Sequence, residues 1–387
     1  MEEVEAKFQT DLPVPFRIPS SSYSLPISTT PAGLQQLVSQ QTGQSQPLIF
    51  TLNNTLLTGS LQEHMTQLHF SAETLLEIWY SLALPMPQTT SSIQCPDWIS
   101  GCEFVGEGEI AATDYAGNLM ICRDGGIVLT EALHPYPIKA LAVTGERGGL
   151  IGTGGKDGTL KVSGYTQGEF ELKAEGKLGS IEVLAWNPSG AMIAAGLFSG
   201  EVHISSINLE ESAMLTKASK RQKLHGFSLH SQHLSLPHSD SLTGLLWPEL
   251  DILYTAAQDH SVVVWDISRE AGVFTYTAPR AIQTFAVAGK MIACGLENGL
   301  IKVVDERSSQ IIATLTSASW IRTLKWHNNC LLSGDEAGDL KIWDVRTISP
   351  LATERKHSDK ILALASQGNL LVTGGADCSL QFHSFQP

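Results

Sequence analysis

Three histidine–aspartate couples recur at matching places in the C-terminal part of the sequence. In each couple the aspartate follows the histidine by about 20 residues and lies in a turn between apolar runs. Such a couple can act as a general base, but a buried carboxylate and a buried imidazole also satisfy each other's hydrogen bonds. Because buried groups of this kind must find partners, we interpret the couples as structural rather than catalytic. No G-x-S-x-G nucleophile turn precedes a helix either. They are His134 with Asp157, His238 with Asp259, and His357 with Asp377.

Other residue patterns that could carry chemistry are weaker. Residues 152–158 look like a phosphate-binding loop, but Asp157 stands where such a loop needs Ser or Thr. His225, His230 and His233 lie in one segment with irregular spacing and no nearby cysteine, so we do not expect zinc. The six cysteines are scattered without a C-x-x-C pair, which indicates reduced thiols. We therefore expect neither an enzyme nor a cofactor of its own.

The couples belong to a repeated pattern that starts at about Trp98. Each copy has an apolar run, a second apolar run, a turn that usually carries Gly, Asp or Asn, and a third run. First and third runs begin about 20 residues apart and successive copies about 40 residues apart, with one longer step between Ile181 and Leu242. Short strands at this spacing predict four-stranded blades. Six clear copies and a weaker first copy predict a mainly β protein with a seven-bladed ring, which protects its sheet edges.

The last copy ends at Pro387, directly after its third strand. We expect a segment within about residues 85–94 to supply the missing fourth strand and so to close the ring. The predicted organisation is an N-terminal domain at 1–80, a linker with this strand at 81–97 and the propeller at 98–387. The longer step predicts a long loop at about residues 209–237.

Residues 1–80 do not share the repeat. VEAKFQT and FRIPSS predict a hairpin of two strands. Thr30 and Pro31 suit the N-cap and first position of a helix with Leu34 and Val38 on one face. The order β-β-α-β-short element-β is that of a small α+β ubiquitin-like domain. Because the segment does not end in Gly-Gly, we expect a docking module rather than a conjugated modifier.

The charge distribution points to protein partners. The chain has 387 residues, with 25 Lys and Arg against 39 Asp and Glu, and its formal charge of −14 argues against broad adhesion to nucleic acid. We find no apolar run of 18 residues and no signal peptide, so no membrane is expected. Residues 18–62 carry no charged side chain. An acid just before the last strand of the N-terminal domain, at Glu73, therefore stands out.

The repeats resemble WD40 repeats. The Trp-Asp dipeptide stands at Trp265-Asp266 and at Trp343-Asp344, and the three couples match the family's internal hydrogen-bond network. The network is partial, because four copies lack the turn aspartate. Those copies carry Ala116, Ser199, Asn298 and Ala337 instead.

The chain as a whole resembles the WD repeat-containing protein 12 (Ytm) family of ribosome-biogenesis factors, in which a ubiquitin-like NLE domain precedes a WD40 ring. The stretches that carry the resemblance, in order, are KFQTD, LIFTLNNTLL, SAETLLEIWY, the DWIS junction and KASKRQKL. The resemblance implies a non-catalytic assembly factor for maturation of the large (60S) ribosomal subunit and for pre-rRNA processing. It also implies a trimer with a block-of-proliferation-type WD40 protein and a pescadillo-type protein.

The same resemblance implies that the N-terminal domain recruits midasin, a large AAA ATPase, through midasin's metal-dependent adhesion domain. The family's key acid lies in an S-x-E segment, which here is Ser71-Ala72-Glu73. Magnesium held by the partner prefers an octahedral shell of oxygen ligands, and Glu73 would supply one of them from this chain. Glu77 alternates with Leu76 and Ile78, so we interpret it as a solvent-facing strand residue.

The long loop carries a basic cluster that suits nuclear import, although a solvated loop would look similar. Its cations are Lys217, Lys220, Arg221 and Lys223. With the resemblance, we expect localisation in the nucleolus and nucleoplasm. Two alternatives remain open at the level of sequence: a Notchless-type ribosome factor, which carries eight blades, and a WD40 adaptor of the ubiquitin pathway. The sequence also leaves open whether the ring contacts ribosomal RNA.

Overall fold

The computed structural model describes most of the chain. Its described residues are 3–19, 21–53, 55–68, 70, 75–83, 86–106, 108–123, 125–144, 149–166, 168–207, 232–233, 238–328, 330–347 and 350–385. They form an N-terminal α+β domain and a ring of antiparallel sheets, as the sequence predicts. Neither helix within these ranges is long and apolar enough to cross a membrane.

The N-terminal domain is a mixed sheet covered by helix α1 (Pro31–Thr42). A second helix, α2 (Leu61–Leu68), follows the short fourth strand. Alternating side chains of the central strands pack against α1, so Phe50, Ile78, Leu34 and Val38 are almost fully buried together. The sheet order is β2-β1-β5-β3-β4, with β1 parallel to β5. The strands are β1 (Glu3–Gln9), β2 (Ser22–Pro26), β3 (Leu48–Leu52), β4 (Thr55–Leu56) and β5 (Leu76–Leu82).

Two local predictions for this domain need correction. The second strand of the hairpin is Ser22–Pro26 rather than FRIPSS, because Pro19 removes a backbone donor from the middle of the predicted segment. A single 3-10 turn at Val14–Phe16 leads into that segment. Thr30 does stand before the first residue of α1, but its hydroxyl makes no capping hydrogen bond.

The ring contains seven four-stranded sheets within the described residues, called blades 1 to 7. Strand β6 (Gln88–Gln94) comes first in the sequence but belongs to the last blade. Blade 1 holds β7 (Ile99–Phe104), β8 (Glu109–Asp114), β9 (Asn118–Arg123) and β10 (Gly126–Ala132). Blade 2 holds β11 (Ile138–Val143), β12 (Leu150–Gly155), β13 (Thr159–Thr166) and β14 (Glu169–Lys177). Blade 3 holds β15 (Ile181–Trp186), β16 (Met192–Leu197), β17 (Val202–Ser206) and β18 (Gln232–His233).

The remaining blades repeat this plan. Blade 4 holds β19 (Leu242–Glu249), β20 (Ile252–Ala257), β21 (Ser261–Asp266) and β22 (Ala271–Thr277). Blade 5 holds β23 (Ile282–Ala288), β24 (Met291–Leu296), β25 (Leu300–Asp305) and β26 (Gln310–Thr316). Blade 6 holds β27 (Ile321–His327), β28 (Cys330–Asp335), β29 (Asp339–Trp343) and β30 (Ala352–Arg355). Blade 7 holds β31 (Ile361–Gln367), β32 (Leu370–Gly375), β33 (Ser379–Ser384) and, as its outermost strand, β6.

The ring is closed both between and within blades. The first strand of each blade contacts the first strand of the next, including β31 of blade 7 with β7 of blade 1. Within blade 7, β6 pairs antiparallel with β33, so a strand from the N-terminal side completes the last sheet. The segment predicted to close the ring, residues 85–94, contains this strand.

Close packing between blades depends on an isoleucine or leucine that begins every first strand. All seven of these side chains are at most 1% exposed, and burial of each contributes about 1.5–3 kcal/mol. In several blades the side chain presses onto a glycine of the preceding blade. A Cβ on Gly374 of blade 7, for example, would lie 2.4 Å from Cγ2 of Ile99 in blade 1. These glycines set the distance between sheets, because any larger residue would push the blades apart.

Candidate functional site

In each predicted histidine–aspartate couple, the two side chains lie within hydrogen-bond distance of each other. Nδ1 of His238 lies 3.0 Å from Oδ2 of Asp259, and its Nε2 lies 2.7 Å from Oγ1 of Thr255. Ser261 adds a hydroxyl 2.9 Å from the same Nδ1. The loop before the blade is thus tied to the second strand, the turn and the third strand. The other two couples make the matching contacts, His134 with Asp157 and Thr153, and His357 with Asp377 and Thr373.

The electrostatics of these couples suit a structural role. Burial opposes the charge on Asp259, but hydrogen bonds from Ser261 and the nearby His238 outweigh it and hold the pKa of Asp259 below its usual value. Burial also lowers the pKa of His134, so this ring is neutral at neutral pH. All three histidines are buried, and a general base needs contact with a substrate. The couples therefore fix loops rather than offering a reactive surface.

The two tryptophans of the Trp-Asp dipeptides are fully buried. Nε1 of Trp265 donates to Oγ1 of Thr255 at 3.0 Å, and Nε1 of Trp343 donates to Oγ of Ser333 at 2.8 Å. Each indole thus joins the third strand of its blade to the second. In blade 4 the indole donates to Thr255, the threonine that also contacts His238.

His383 occupies the tryptophan position in blade 7, and the sequence analysis missed it. Its Nε2 lies 2.9 Å from Oγ1 of Thr373, and its Nδ1 lies 3.0 Å from Oγ1 of Thr89 on β6. Burial, followed by the nearby Lys356 and His357, lowers the pKa of His383 to about 3. The sequence contains a signal for this role. When LQFHS of blade 7 is aligned with VVVWD of blade 4, His383 falls at the position of Trp265.

Blade 6 lacks both members of a couple and contains a buried ion pair instead. Ser317 stands at the histidine position and Ala337 at the aspartate position. Lys341 donates to Asp335 and, at 2.8 Å, to Oγ of Ser317. Asp335 also accepts from the backbone N–H groups of Ala337 and Asp339, at 2.9 and 3.0 Å. Lysine and carboxylate thus link the same loop, turn and strands that His238 and Asp259 link in blade 4.

One end of the ring carries an exposed aromatic surface, here called the aromatic face. The loops that enter the blades and the turns between second and third strands meet there, joined by backbone hydrogen bonds such as that from Tyr115 N–H to the carbonyl of Trp98, 3.0 Å. Every exposed large aromatic side chain among the described residues lies in these loops and turns, each 43% to 64% exposed. They are Trp98, Tyr136, Phe198 and Trp320.

Cations accompany the aromatic rings on this face. Nζ of Lys139 lies 4.5 Å from the centre of the Tyr115 ring and donates to its hydroxyl at 2.8 Å. Tyr115 in turn packs edge-on against Trp98, with 5.6 Å between ring centres. The guanidinium of Arg322 lies 5.5 Å from the centre of the Trp320 ring. Aromatic rings combined with cations are typical of protein-binding surfaces.

The first strands surround a central channel of about 230 Å³. Glu103 of blade 1 and Lys325 of blade 6 approach within 3.7 Å of each other. Among the residues the structure describes, no cluster of His, Cys, Asp or Glu is arranged to hold a metal ion. The six cysteines are all free.

The remaining predicted site residues lie outside the described residues. These are Ser71 and Glu73 of the N-terminal domain and the basic residues Lys217, Lys220, Arg221 and Lys223. The residues that flank the acidic segment are described. Phe70 packs against the domain core, and its N–H donates to the carbonyl of Met65 at 2.9 Å. On the other side, Leu75 is exposed and Leu76 begins β5.

Comparison with known families agrees with this architecture. The NLE (NUC135) domain family matches residues 4–65, and the WD domain, G-beta repeat family matches residues 348–384. The chain is thus similar to the NLE family over its N-terminal domain and to the WD repeat family near its C-terminal end.

Several relatives are similar to this chain along almost its whole length. Proteins named "Ribosome biogenesis protein WDR12 homolog" from Arabidopsis thaliana and Chlamydomonas reinhardtii are each 26% identical to this chain over 98% of its length, covering 96% and 97% of the relative. The protein of the same name from Nematostella vectensis is 23% identical over 98% of this chain and 99% of the relative. The predicted resemblance to the WD repeat-containing protein 12 family is confirmed. These relatives carry WD40 repeats and are named for ribosome biogenesis rather than for a catalysed reaction, which agrees with the expectation that the chain is not an enzyme.

Proposed function

We propose that this protein is a non-catalytic factor in ribosome biogenesis that acts in maturation of the large (60S) subunit and in pre-rRNA processing. The observation that carries the proposal is the similarity to ribosome-biogenesis proteins over 98% of the chain, across both domains. The physical features are compatible with it. A rigid ring with an aromatic face suits partner binding, and its histidine–aspartate couples are buried as structural elements.

In this proposal the ring is the scaffold of a trimer with a block-of-proliferation-type WD40 protein and a pescadillo-type protein. Interfaces between proteins are enriched in aromatic side chains and arginine. The aromatic face offers Trp98, Trp320 and Arg322 for such an interface. Affinity purification of the tagged protein followed by mass spectrometry tests this part. Pre-60S particles containing both partners are expected, whereas recovery of a ubiquitin ligase without ribosomal precursors would favour an adaptor of the ubiquitin pathway.

The N-terminal domain is proposed to recruit the AAA ATPase midasin through Glu73, which would complete the coordination of a magnesium ion held by midasin's adhesion domain. Magnesium demands oxygen ligands in a tight octahedral shell. A single carboxylate from this chain can fill an open position, and Ser71 belongs to the same segment. The support from this chain is its charge pattern, because no Lys or Arg lies between Ile18 and Glu73 in the sequence.

A capture experiment with midasin's adhesion domain tests the role of Glu73. Wild type is expected to bind in magnesium and to be released by EDTA. Glu73→Ala is expected to lose most of this capture, and Glu73→Asp to weaken it, because a shorter side chain misplaces the oxygen. Glu77→Ala is the matched control, since Glu77 is an exposed acid on β5, and it should bind like wild type. Equal magnesium-dependent capture by wild type and Glu73→Ala would refute the assigned ligand.

The proposed localisation is nucleolar and nucleoplasmic, with the basic cluster of the long loop as the import signal. Replacement of Lys217, Lys220, Arg221 and Lys223 by alanine in a fluorescent fusion should leave the protein in the cytoplasm. Nuclear accumulation of this variant at the wild-type level would contradict the import role.

The Notchless-type alternative is less well supported. Seven blades close on each other within the described residues, with β31 against β7, whereas that type carries eight. The full-length relatives also bear a different name.

A further inference from the structure

Strand β6 closes the ring with little apolar burial. Within the described residues it pairs with a single strand, β33. Of its seven residues only Ile93 is buried, and the others are polar. Side-chain hydrogen bonds add to the ladder, including Oγ1 of Thr90 to the carbonyl of Phe382 at 3.1 Å and the contact between Thr89 and His383. The strand is thus held mainly by hydrogen bonds at the outer edge of blade 7.

The N-terminal domain is tethered directly to this strand. Only residues 83–87 lie between the end of β5 and the start of β6. An ion pair between Asp11 and Arg346, 3.3 Å, also connects the domain to the ring, but an exposed pair of this kind contributes little. The linker first contacts the ring at Met86, which packs against the core of blades 6 and 7, and at Pro87, whose carbonyl accepts from Nζ of Lys356 at 2.9 Å. A force applied to the N-terminal domain therefore loads these two contacts and then Gln88, the first residue of β6.

The two domains differ in how such a force loads the hydrogen bonds between their strands. In the N-terminal domain β1 and β5 are parallel neighbours, so tension between the start of β1 and the end of β5 shears all of their hydrogen bonds at once. Strand β6 is antiparallel to β33, and Gln88 is paired with Ser384 at one end of the ladder. Tension across the ring from Gln88 loads that end first, and the hydrogen bonds open one after another. The ladder of blade 7 should therefore open at a lower force than the N-terminal sheet.

Opening of β6 would alter the aromatic face. Only residues 95–97 separate the end of β6 from Trp98, and the N–H of Cys95 donates to the carbonyl of Cys378 at 2.8 Å. If β6 separates from β33 as far as Cys95, the tension acts on Trp98 and strains its contact with Tyr115.

We propose that β6 is a load-sensitive latch: tension on the N-terminal domain peels β6 from β33 and so pulls on Trp98 of the aromatic face. The inference rests on the proposed function only in that a motor would supply the tension through the N-terminal domain. Below the opening force the ring stays closed and its surface is intact.

Optical-tweezers measurements on the full chain test the latch. One handle is placed at the N-terminus and the other on an azide-bearing residue at position 268, in the turn after β21 on the opposite side of the ring. The latch predicts a first event of at most about 35 Å, the length of the ten residues 88–97, followed at higher force by unfolding of residues 1–83 with about 280 Å. A first event of about 280 Å would overturn the proposal.

Two variants sharpen the test. Ile93→Ala should lower the force of the short event without changing its length. Ser92→Cys with Gln381→Cys joins residues that face each other in the ladder, and oxidation should abolish the short event until the disulfide is reduced. Ser92→Cys alone is the control. If the oxidised double variant keeps the short event, β6 is not the element that opens. Because no partner is present, this result is independent of the proposed role in ribosome biogenesis.

Discussion

Blades 4 and 6 solve one structural problem with different chemistry. In both, the entering loop must be held to the second strand, the turn and the third strand. Blade 4 uses His238 and Asp259, whereas blade 6 uses Lys341 and Asp335 with Ser317. The link in blade 4 joins an imidazole to a carboxylate, whereas the link in blade 6 joins a lysine to a fully buried carboxylate. The comparison teaches that two different residue sets can make this polar link. Blade 5, with the buried Ala278 at the histidine position, has no side chain that could make it.

The largest effect is expected from removal of the lysine in blade 6. Lys341→Ala leaves Asp335 buried without its counter-charge, so the free energy of unfolding should fall by about 3–5 kcal/mol. Urea denaturation followed by tryptophan fluorescence measures the change. Lys302→Ala is the matched control, because Lys302 has the same position in blade 5 but its Nζ donates only to Oγ1 of Thr314, 2.8 Å. A loss as small as that of the control would mean that the ion pair is not the link in blade 6.

A second test uses pH to separate histidine from lysine links. The pKa of His383 is lowered to about 3 in the folded ring, whereas an unfolded histidine titrates near 6.5. Its contribution to stability is therefore complete above about pH 6.5 and is lost as the pH falls towards 3, by at most about 1.4 kcal/mol per pH unit. His383→Gln should flatten this slope, measured as urea midpoints between pH 7 and pH 4. An unchanged slope would show that His383 is not buried as a neutral ring.

A third, smaller effect is expected in blade 4. Asp259→Ala removes the acceptor for His238 and for the backbone N–H groups of Ser239 and Ser261. The loss of stability should be about 1–3 kcal/mol, which is the typical cost of leaving buried hydrogen-bonding groups without an acceptor. Asp240→Ala, an exposed acid in the same loop, should change stability by less than about 0.5 kcal/mol. If Asp259→Ala destabilised as strongly as Lys341→Ala, the distinction between the two blades would fail.

The smallest effect concerns the turn after the aspartate position. This turn has a left-handed residue in every blade, usually glycine, but blade 4 has His260 with φ 72°. A side chain in this region costs roughly 1–2 kcal/mol relative to glycine, partly offset by the extra freedom of an unfolded glycine. His260→Gly should therefore raise the free energy of unfolding by up to about 1 kcal/mol in the same urea assay. A decrease would mean that the imidazole makes a stabilising contact.

Sequence alone was sufficient for the fold class and for the three histidine–aspartate couples, because strand periodicity and turn residues are local signals. It was insufficient for the link in blade 6. Lys341 looks like an outward lysine of an alternating strand, and only the three-dimensional approach of Asp335 and Ser317 explains its burial. One signal was available, since blades 1 and 6 carry Ala at the turn and Asp at the end of the second strand. The role of Glu73 stays a prediction, because a ligand in trans depends on a partner's ion.

The pairing of β6 with β33 also governs how the protein is made. Thr89 and His383 meet across 294 positions of the chain, so at typical rates of translation β6 waits roughly 15–60 s for its neighbour to emerge. Throughout synthesis the nascent chain therefore exposes an unpaired strand and an open ring. Truncated products that end before β33 cannot close the ring. They present an unpaired sheet edge, which favours aggregation. The topology thus leaves the nascent chain open to misassembly until β33 has emerged.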